Sequence, residues 1–154
     1  MSLPQYNLIG NLDGAAPSHG FATINLNDQV NLWVEADGFD IGAKQTTWDE
    51  QVSYAGGANV QTNVVRSGLV PVTIPMWAQG SSVTNLEVNV LNPIWAMIEA
   101  SSSAYPISFT LKDTTGTPTT YTIPYCSRPA TMPRGNEYWL LYRQYFTLVL
   151  MRLP

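Results

Sequence analysis

One run near the C-terminus constrains the fold more than any other part of the chain. From Glu137 to Leu153, apolar residues occupy both odd and even positions. Because successive side chains of a strand point to opposite faces of a sheet, this run predicts one long strand with two apolar faces. Such a strand is either central in a sandwich or has one face against another subunit. One face would carry Leu140, Tyr142, Phe146, Leu148 and Leu150, and the other Trp139, Leu141, Tyr145, Val149 and Met151.

Two hairpins are predicted from alternation and turn residues. Residues 21–35 alternate in two short runs on either side of Asn27 and Asp28, which predicts a hairpin. Residues 105–111 and 119–125 flank a turn-rich segment, and they predict a second hairpin.

Residues 64–77 predict a strand whose prolines limit how it can pair with other strands. Strict period two runs through Val70, Val72, Ile74 and Met76. Pro71 and Pro75 have the opposite parity. Since proline has no N–H to donate, we expect this strand to lie at a sheet edge or to hold the prolines away from a ladder.

One helix is predicted around residues 84–99. Its apolar stripe, at spacings of three and four, consists of Val83, Leu86, Val90, Ile94 and Met97. Thr84 and Glu87 have the spacing of a capping box. Pro93 removes a hydrogen bond inside the helix, and the unbroken phase of the stripe favours a kink there. The alternative is that Asn92 and Pro93 begin a second short helix.

The remaining segments are irregular, and no boundary divides the chain into two cores. Residues 1–20, rich in Gly, Pro, Asn and Ala, predict an extended arm, and residues 40–63 predict a projecting loop or hairpin with a mobile tip. The predicted fold is a single domain over residues 1–154. It is mainly β (α+β): a β-sandwich or barrel with one flanking helix.

The composition indicates a surface that other protein covers. Charged residues are 12% of the 154 residues, about half the usual fraction of roughly 25%. A net charge of −4 argues against a non-specific nucleic-acid binder, and the aromatic content argues against disorder. Residues 1–77 carry a net −5 and residues 78–154 a net +1. This asymmetry is either chance or a heterologous contact between neighbouring copies.

Residues that could carry chemistry are few. Cys126 and His19 are each the only residue of their type, which predicts no internal disulfide and no metal site with two or more histidines. A Cys126–His19 dyad is a distant alternative, because His19 lies in a segment rich in Gly, Ala and Pro and no neighbour marks Cys126 as activated. The acidic residues of segment 37–50 lack the spacing of a calcium loop, although ion binding there stays open; they are Asp37, Asp40, Asp49 and Glu50. No nucleotide-binding or hydrolase motif is present. We therefore expect no enzyme activity and no cofactor.

The sequence predicts neither a signal peptide nor a membrane span. The chain opens without a basic segment followed by an apolar core, and no window approaches the roughly 18 consecutive apolar residues of a membrane span. A cytosolic site of synthesis is the expectation.

The order of elements from residue 64 onwards resembles a known family. A strand at residues 71–76 is followed by Gly80-Ser81-Ser82, a helix at 86–98, a hairpin, and a terminal strand at 146–150 that closes at Pro154. This order is similar to the N-terminal, tail-tube-like domain of distal tail and related minor tail proteins of long-tailed bacteriophages. The resemblance covers about 90 residues. It leaves three stations open: a distal tail ring, a tube subunit or another adaptor.

The resemblance implies a structural protein of the virion. The chain would form a ring homo-oligomer, a hexamer or trimer, in a phage tail or baseplate, connect the tail tube to the tail tip, and contact other tail or baseplate proteins. We expect no direct nucleic-acid binding and no membrane contact. The alternative is a capsid decoration or carbohydrate-binding β module, with Trp33, Trp48, Trp77 and Tyr54 as a stacking surface. The predicted subunit interface comprises Tyr54, Gly56, Gly57, Asn59, Trp48, Arg143 and Tyr145.

Overall fold

The computed structural model describes residues 4–10, 22–35, 37–43, 46–53, 57–101 and 105–154. The strands are β1 (Gln5–Gly10), β2 (Ala22–Asn25), β3 (Leu32–Val34), β4 (Thr46–Ser53), β5 (Gly57–Ser67), β6 (Val70–Gln79), β7 (Ile107–Lys112), β8 (Pro118–Ile123), β9 (Tyr125–Cys126) and β10 (Arg143–Arg152). The helices are α1 (Val83–Asn85), which continues through a π-helical segment (Leu86–Leu91) into α2 (Asn92–Ala100), and α3 (Asn136–Leu141).

The fold is mainly β, as predicted, with two four-stranded antiparallel sheets. One sheet has the order β2-β1-β7-β8 and the other the order β3-β6-β10-β9. The chain passes from one sheet to the other at both edges, between β2 and β3 and, at Pro124, between β8 and β9. Among the strands that the structure describes, no ladder joins the two sheets, so the barrel alternative is wrong.

The inward faces of both sheets and the helix share one core. Leu8 and Phe109 come from the first sheet, Ile74 and Leu148 from the second, and Ile94 from α2. All five are fully buried. A single core of this kind needs no second domain among the described residues.

The hairpin predicted for residues 21–35 is wrong. β2 and β3 are short strands as the alternation indicates, but β2 pairs with β1 and β3 pairs with β6. The turn between them is closed by the Asp28 carboxylate, which accepts the N–H groups of Val30, Asn31 and Leu32. The turn therefore redirects the chain between sheets, with Leu26 and Leu32 buried on either side of it.

The extended arm predicted for residues 1–20 is wrong where the first strand forms. Residues 5–10 belong to β1, which pairs with β2 and β7, and not to an extended arm. Leu8 is fully buried, and Gly10 lies so close to Met97 that a Cβ there would be 3.2 Å from its Cγ. Residues 11–20 of the predicted arm lie outside the described residues.

The hairpin of β4 and β5 forms a separate two-stranded sheet within the segment predicted to project. It is longer than predicted, since β5 reaches Ser67. The strand predicted over residues 64–77 is therefore wrong in its first part: residues 64–67 belong to β5, and β6 begins at Val70. The root of the hairpin is fixed to the body: Arg152 donates from Nε to the Ile41 carbonyl and from Nη2 to the Gly42 carbonyl, each at 3.0 Å. The tip, residues 54–56, lies outside the described residues.

Strand β6 is interior, and its prolines follow the second of the two predicted options. The N–H groups of Thr73 and Gln79 and the carbonyl of Pro75 all bond toward the β3 side. Pro71 and Pro75 share this parity, so their missing donors face away from the ten-residue ladder with β10. Strand β3 ends opposite Met76, before it would need a donor from Pro75.

The helix covers residues 83–100, close to the predicted 84–99, but differs in two details. Its cap is Ser82, whose hydroxyl accepts the Asn85 N–H, and not Thr84 with Glu87. Pro93 is accommodated by the π-helical segment, where the Asn92 N–H bonds to the Glu87 carbonyl five residues back. The wider π-helical turn leaves room for the proline ring, so the helix continues without a second N-cap.

The predicted terminal strand is correct only from residue 143 onwards. Residues 136–141 form α3, which ends at Tyr142 in the left-handed region with φ of 55°. Periodicity alone does not separate a short apolar helix from a strand. Helical winding lets Tyr138 turn inward to bond with Glu87, while the neighbouring apolar residues stay exposed. The hairpin of β7 and β8 is confirmed.

Candidate interaction surface

An aromatic row crosses the outer face of the second sheet. Trp33 on β3 pairs in register with Trp77 on β6, and Trp77 pairs with Tyr145 on β10. The two indole rings stack with centroids 4.0 Å apart and planes within 5°, and the Tyr145 ring lies 6.1 Å from that of Trp77. These side chains face outward because their strand neighbours Leu32, Met76 and Phe146 face the core.

Arg143 extends this row at one end. Its guanidinium carbon lies 4.8 Å from the centre of the Trp77 ring, a cation–π contact. Its Nε is buried without a hydrogen-bond partner, and no acidic group pairs with it among the residues that the structure describes. Arg143 therefore carries an unneutralised charge on an aromatic support.

The rest of this outer face is almost free of charge. The outward residues of β6 are Pro71, Thr73, Pro75, Trp77 and Gln79, and those of β10 are Arg143, Tyr145, Thr147, Val149 and Met151. Tyr145 and Val149 expose 39% and 41% of their surface. The scarcity of charged residues in the sequence is thus most pronounced on this one face. Soluble monomers rarely expose an apolar face of this kind to water.

A shallow groove of about 620 Å³ lies beside the aromatic row. Its floor is formed by Pro75 and Thr147, which are opposite each other in register and smaller than the flanking Tyr145 and Val149. Glu35 lines it from the β3 side and Arg128 from the β9 side. Glu35 has no ion-pair partner in the described part of the chain, whereas Arg128 pairs with Glu99 at 2.7 Å.

The segment after β9 is fastened to the helix and to β10. Arg134 pairs with Glu87 at 3.1 Å, the Tyr138 hydroxyl donates to the same carboxylate oxygen, and the Gln144 amide donates to the Pro133 carbonyl at 2.9 Å. Exposed ion pairs contribute about 0–1 kcal/mol each. Gln144 is only 1% exposed, so its bond contributes more to holding this segment than the Arg134 pair does.

A second exposed apolar cluster lies on α3. Trp139, Leu140 and Leu141 expose 55%, 72% and 47% of their surface. The Gln79 side chain donates to the Leu141 carbonyl and the Gly80 N–H to the Tyr142 carbonyl. These bonds place the end of α3 beside the end of β6.

The structure brings together only part of the predicted interface. Arg143 and Tyr145 lie side by side on the outer face. Trp48, Gly57 and Asn59 fall on the β4–β5 hairpin, where only the backbone is described, and Tyr54 and Gly56 lie outside the described residues. Sequence reasoning missed Glu35 and Thr147; the parity of β10 could have indicated Thr147, but no sequence signal marks Glu35.

Among the described groups that could carry chemistry, Cys126 is buried and Asp40 closes a turn. Burial raises the pKa of the Cys126 thiol to about 12, which suppresses the reactive thiolate. The Asp40 carboxylate accepts the Gly42 N–H in a tight turn. In the described part of the chain, no three His, Cys, Asp or Glu side chains cluster as metal ligands. His19 and the side chains of Asp49 and Glu50 lie outside what the structure describes.

Comparisons with protein-family models, with curated proteins and with solved structures found no match to this chain. The resemblance to phage tail proteins therefore stays a prediction. No helix among the described residues is long and apolar enough to cross a membrane.

Proposed function

We propose that this chain is a structural subunit of a bacteriophage tail or baseplate, without enzyme activity, that works by contacts between copies of itself and with other tail proteins. One observation supports this most: the outer face of β6 and β10 is apolar and carries one charged residue, Arg143, among its ten outward positions. A protein that binds other proteins needs such a face, whereas in a free monomer the exposure of this apolar surface to water is unfavourable.

Two further features support an assembling subunit. The β4–β5 hairpin forms its own sheet, and its strands pair with no other described strand. Two-stranded hairpins are marginally stable alone, so contact with a neighbour would stabilise this one. In the proposed ring, a hexamer or trimer, the acidic half of one copy would meet the more basic half of the next. The virion would then be its location.

The carbohydrate-binding alternative has weaker support. A sugar-stacking platform needs open aromatic faces. Trp33 covers one face of Trp77, and Arg143 lies over the same ring. The side chains of Trp48 and Tyr54, the other predicted platform residues, lie outside what the structure describes.

Native mass spectrometry and negative-stain imaging of the purified chain test the proposal. The expected result is a closed ring whose copy number is a multiple of three, and incorporation of labelled chain into tails when it is produced during phage growth. A persistent monomer that binds sugars and is absent from purified particles would refute it.

A further inference from the structure

We propose that the outer face of β3, β6 and β10 docks onto the same face of a second copy, around a two-fold axis that passes by Trp77. This inference deepens the proposed function and rests on it in one respect, that the chain works as an assembly of copies. It names the surface and the residues that pair across it.

The composition of the face favours a second copy as its partner. Trp33, Trp77 and Tyr145 form a continuous aromatic row with Val149 exposed below it. Aromatic residues and arginine are enriched at the centres of protein interfaces. A second apolar face of equal shape is the partner that removes this surface from water without leaving polar groups unpaired.

The charges of the face also favour a contact between two copies. Arg143 and Glu35 are the charged side chains that flank Trp77 on this face, and neither has an ion-pair partner among the described residues. Asp40 lies farther along β6, opposite Thr73, and Arg128 in the groove is already paired with Glu99. The signs of Arg143 and Glu35 are opposite. A contact between two copies can therefore neutralise both, whereas an uncharged partner would bury both without compensation.

The positions of these two charges fit a contact with two-fold symmetry. Along β6, Arg143 is opposite Gln79, the Glu35 N–H bonds to the Pro75 carbonyl, and Trp77 lies midway between. Each is two residues from Trp77 along the strand, about 6–7 Å, and they lie on opposite sides of β6. A two-fold axis in the plane of contact, perpendicular to the line from Arg143 to Glu35, brings each Arg143 onto the partner copy's Glu35. The pairing occurs twice, as an isologous contact requires.

Charge reversal with rescue tests this contact. Sedimentation velocity of wild type should show a species with an even number of copies at concentrations up to about 100 µM, well above the Kd of a standard interface. Arg143→Glu and Glu35→Arg should each weaken the pairing at least about tenfold and halve the mass observed at a fixed concentration. The double variant should restore the pairing to within a few-fold of wild type. Lys112→Glu, a charge reversal on the other sheet, should leave the mass unchanged.

A second variant guards against misfolding of the Arg143 variants. Thr147→Glu places a charge on the exposed floor of the same face without removing a contact of Arg143, and should abolish pairing while the melting temperature stays near that of wild type. An odd-numbered or monomeric wild type, or variants that pair normally, would overturn the inference, and so would a double variant no better than the singles. If rescue holds but the chain is absent from phage tails, the tail proposal fails and this contact stands.

Discussion

Gly42 gives the sharpest stability prediction, because two backbone constraints meet at this one residue. Its φ is +72°, and a Cβ there would lie 2.4 Å from the Pro71 carbonyl oxygen and 2.6 Å from Val70 Cγ1. The left-handed conformation costs a residue with a Cβ about 1–2 kcal/mol. The overlap with the backbone carbonyl of Pro71 on β6 costs about 1–3 kcal/mol more. We therefore predict that Gly42→Ala lowers the free energy of unfolding by about 3 kcal/mol.

Thermal unfolding followed by circular dichroism measures this effect. For a domain of this size, about 3 kcal/mol corresponds to a fall in Tm of about 6–12 °C. Gly68→Ala is the matched control, since a Cβ at Gly68 has no atom within 4 Å. If the two variants melt within about 2 °C of each other, the close approach of residue 42 to β6 is wrong, and with it the anchoring of the β4–β5 hairpin.

Three further outcomes are expected. Tyr138→Phe removes the hydroxyl bond to Glu87 and should cost about 1–2 kcal/mol in urea unfolding. Burial first, and then the Glu87 bond, raise the pKa of Tyr138. Wild type should therefore lose stability as the pH rises past about 10, and the variant should lose less. An identical dependence of stability on alkaline pH in the two proteins would contradict this. Cys126→Ser should leave assembly intact, and native Cys126 should react with iodoacetamide at pH 8 far more slowly than the unfolded chain, because burial raises its pKa to about 12; rapid native labelling would show an activated thiol. Deleting residues 54–60 should impair assembly, measured by native mass spectrometry, more than it lowers Tm. The reason is that the β4–β5 sheet is separate from the two sheets that share the core. A fall in Tm as large as that caused by a core truncation such as Ile74→Ala would contradict this prediction.

Part of the candidate surface could be predicted because side-chain parity is a local property. The alternation in residues 143–152 places Tyr145 on the face opposite Phe146, and the structure has this arrangement. Arg143 was predicted at an interface and lies on the outer face. Glu35 could not be found, since a single acid among several in the acidic half carries no signal of its position.

Strand partners could not be predicted for a different reason. The short runs at 22–25 and 32–34 have the pattern of a hairpin, yet each strand pairs with a distant segment. Pairing depends on which long-range contacts bury Leu26 and Leu32 best, and local alternation contains no information on those contacts.

The sequence by itself determined that the chain is mainly β, how the side chains of β6 and β10 divide between two faces, where the one long helix lies and how little charge the chain carries. These properties follow from period and composition, which act over a few residues. Only the tertiary structure decided that residues 136–141 wind into α3 and that the chain crosses between two sheets at both edges. It also placed Arg143, Trp77 and Glu35 on one face, although they are up to 108 positions apart in the sequence, because strand pairing brings together residues that no local pattern connects.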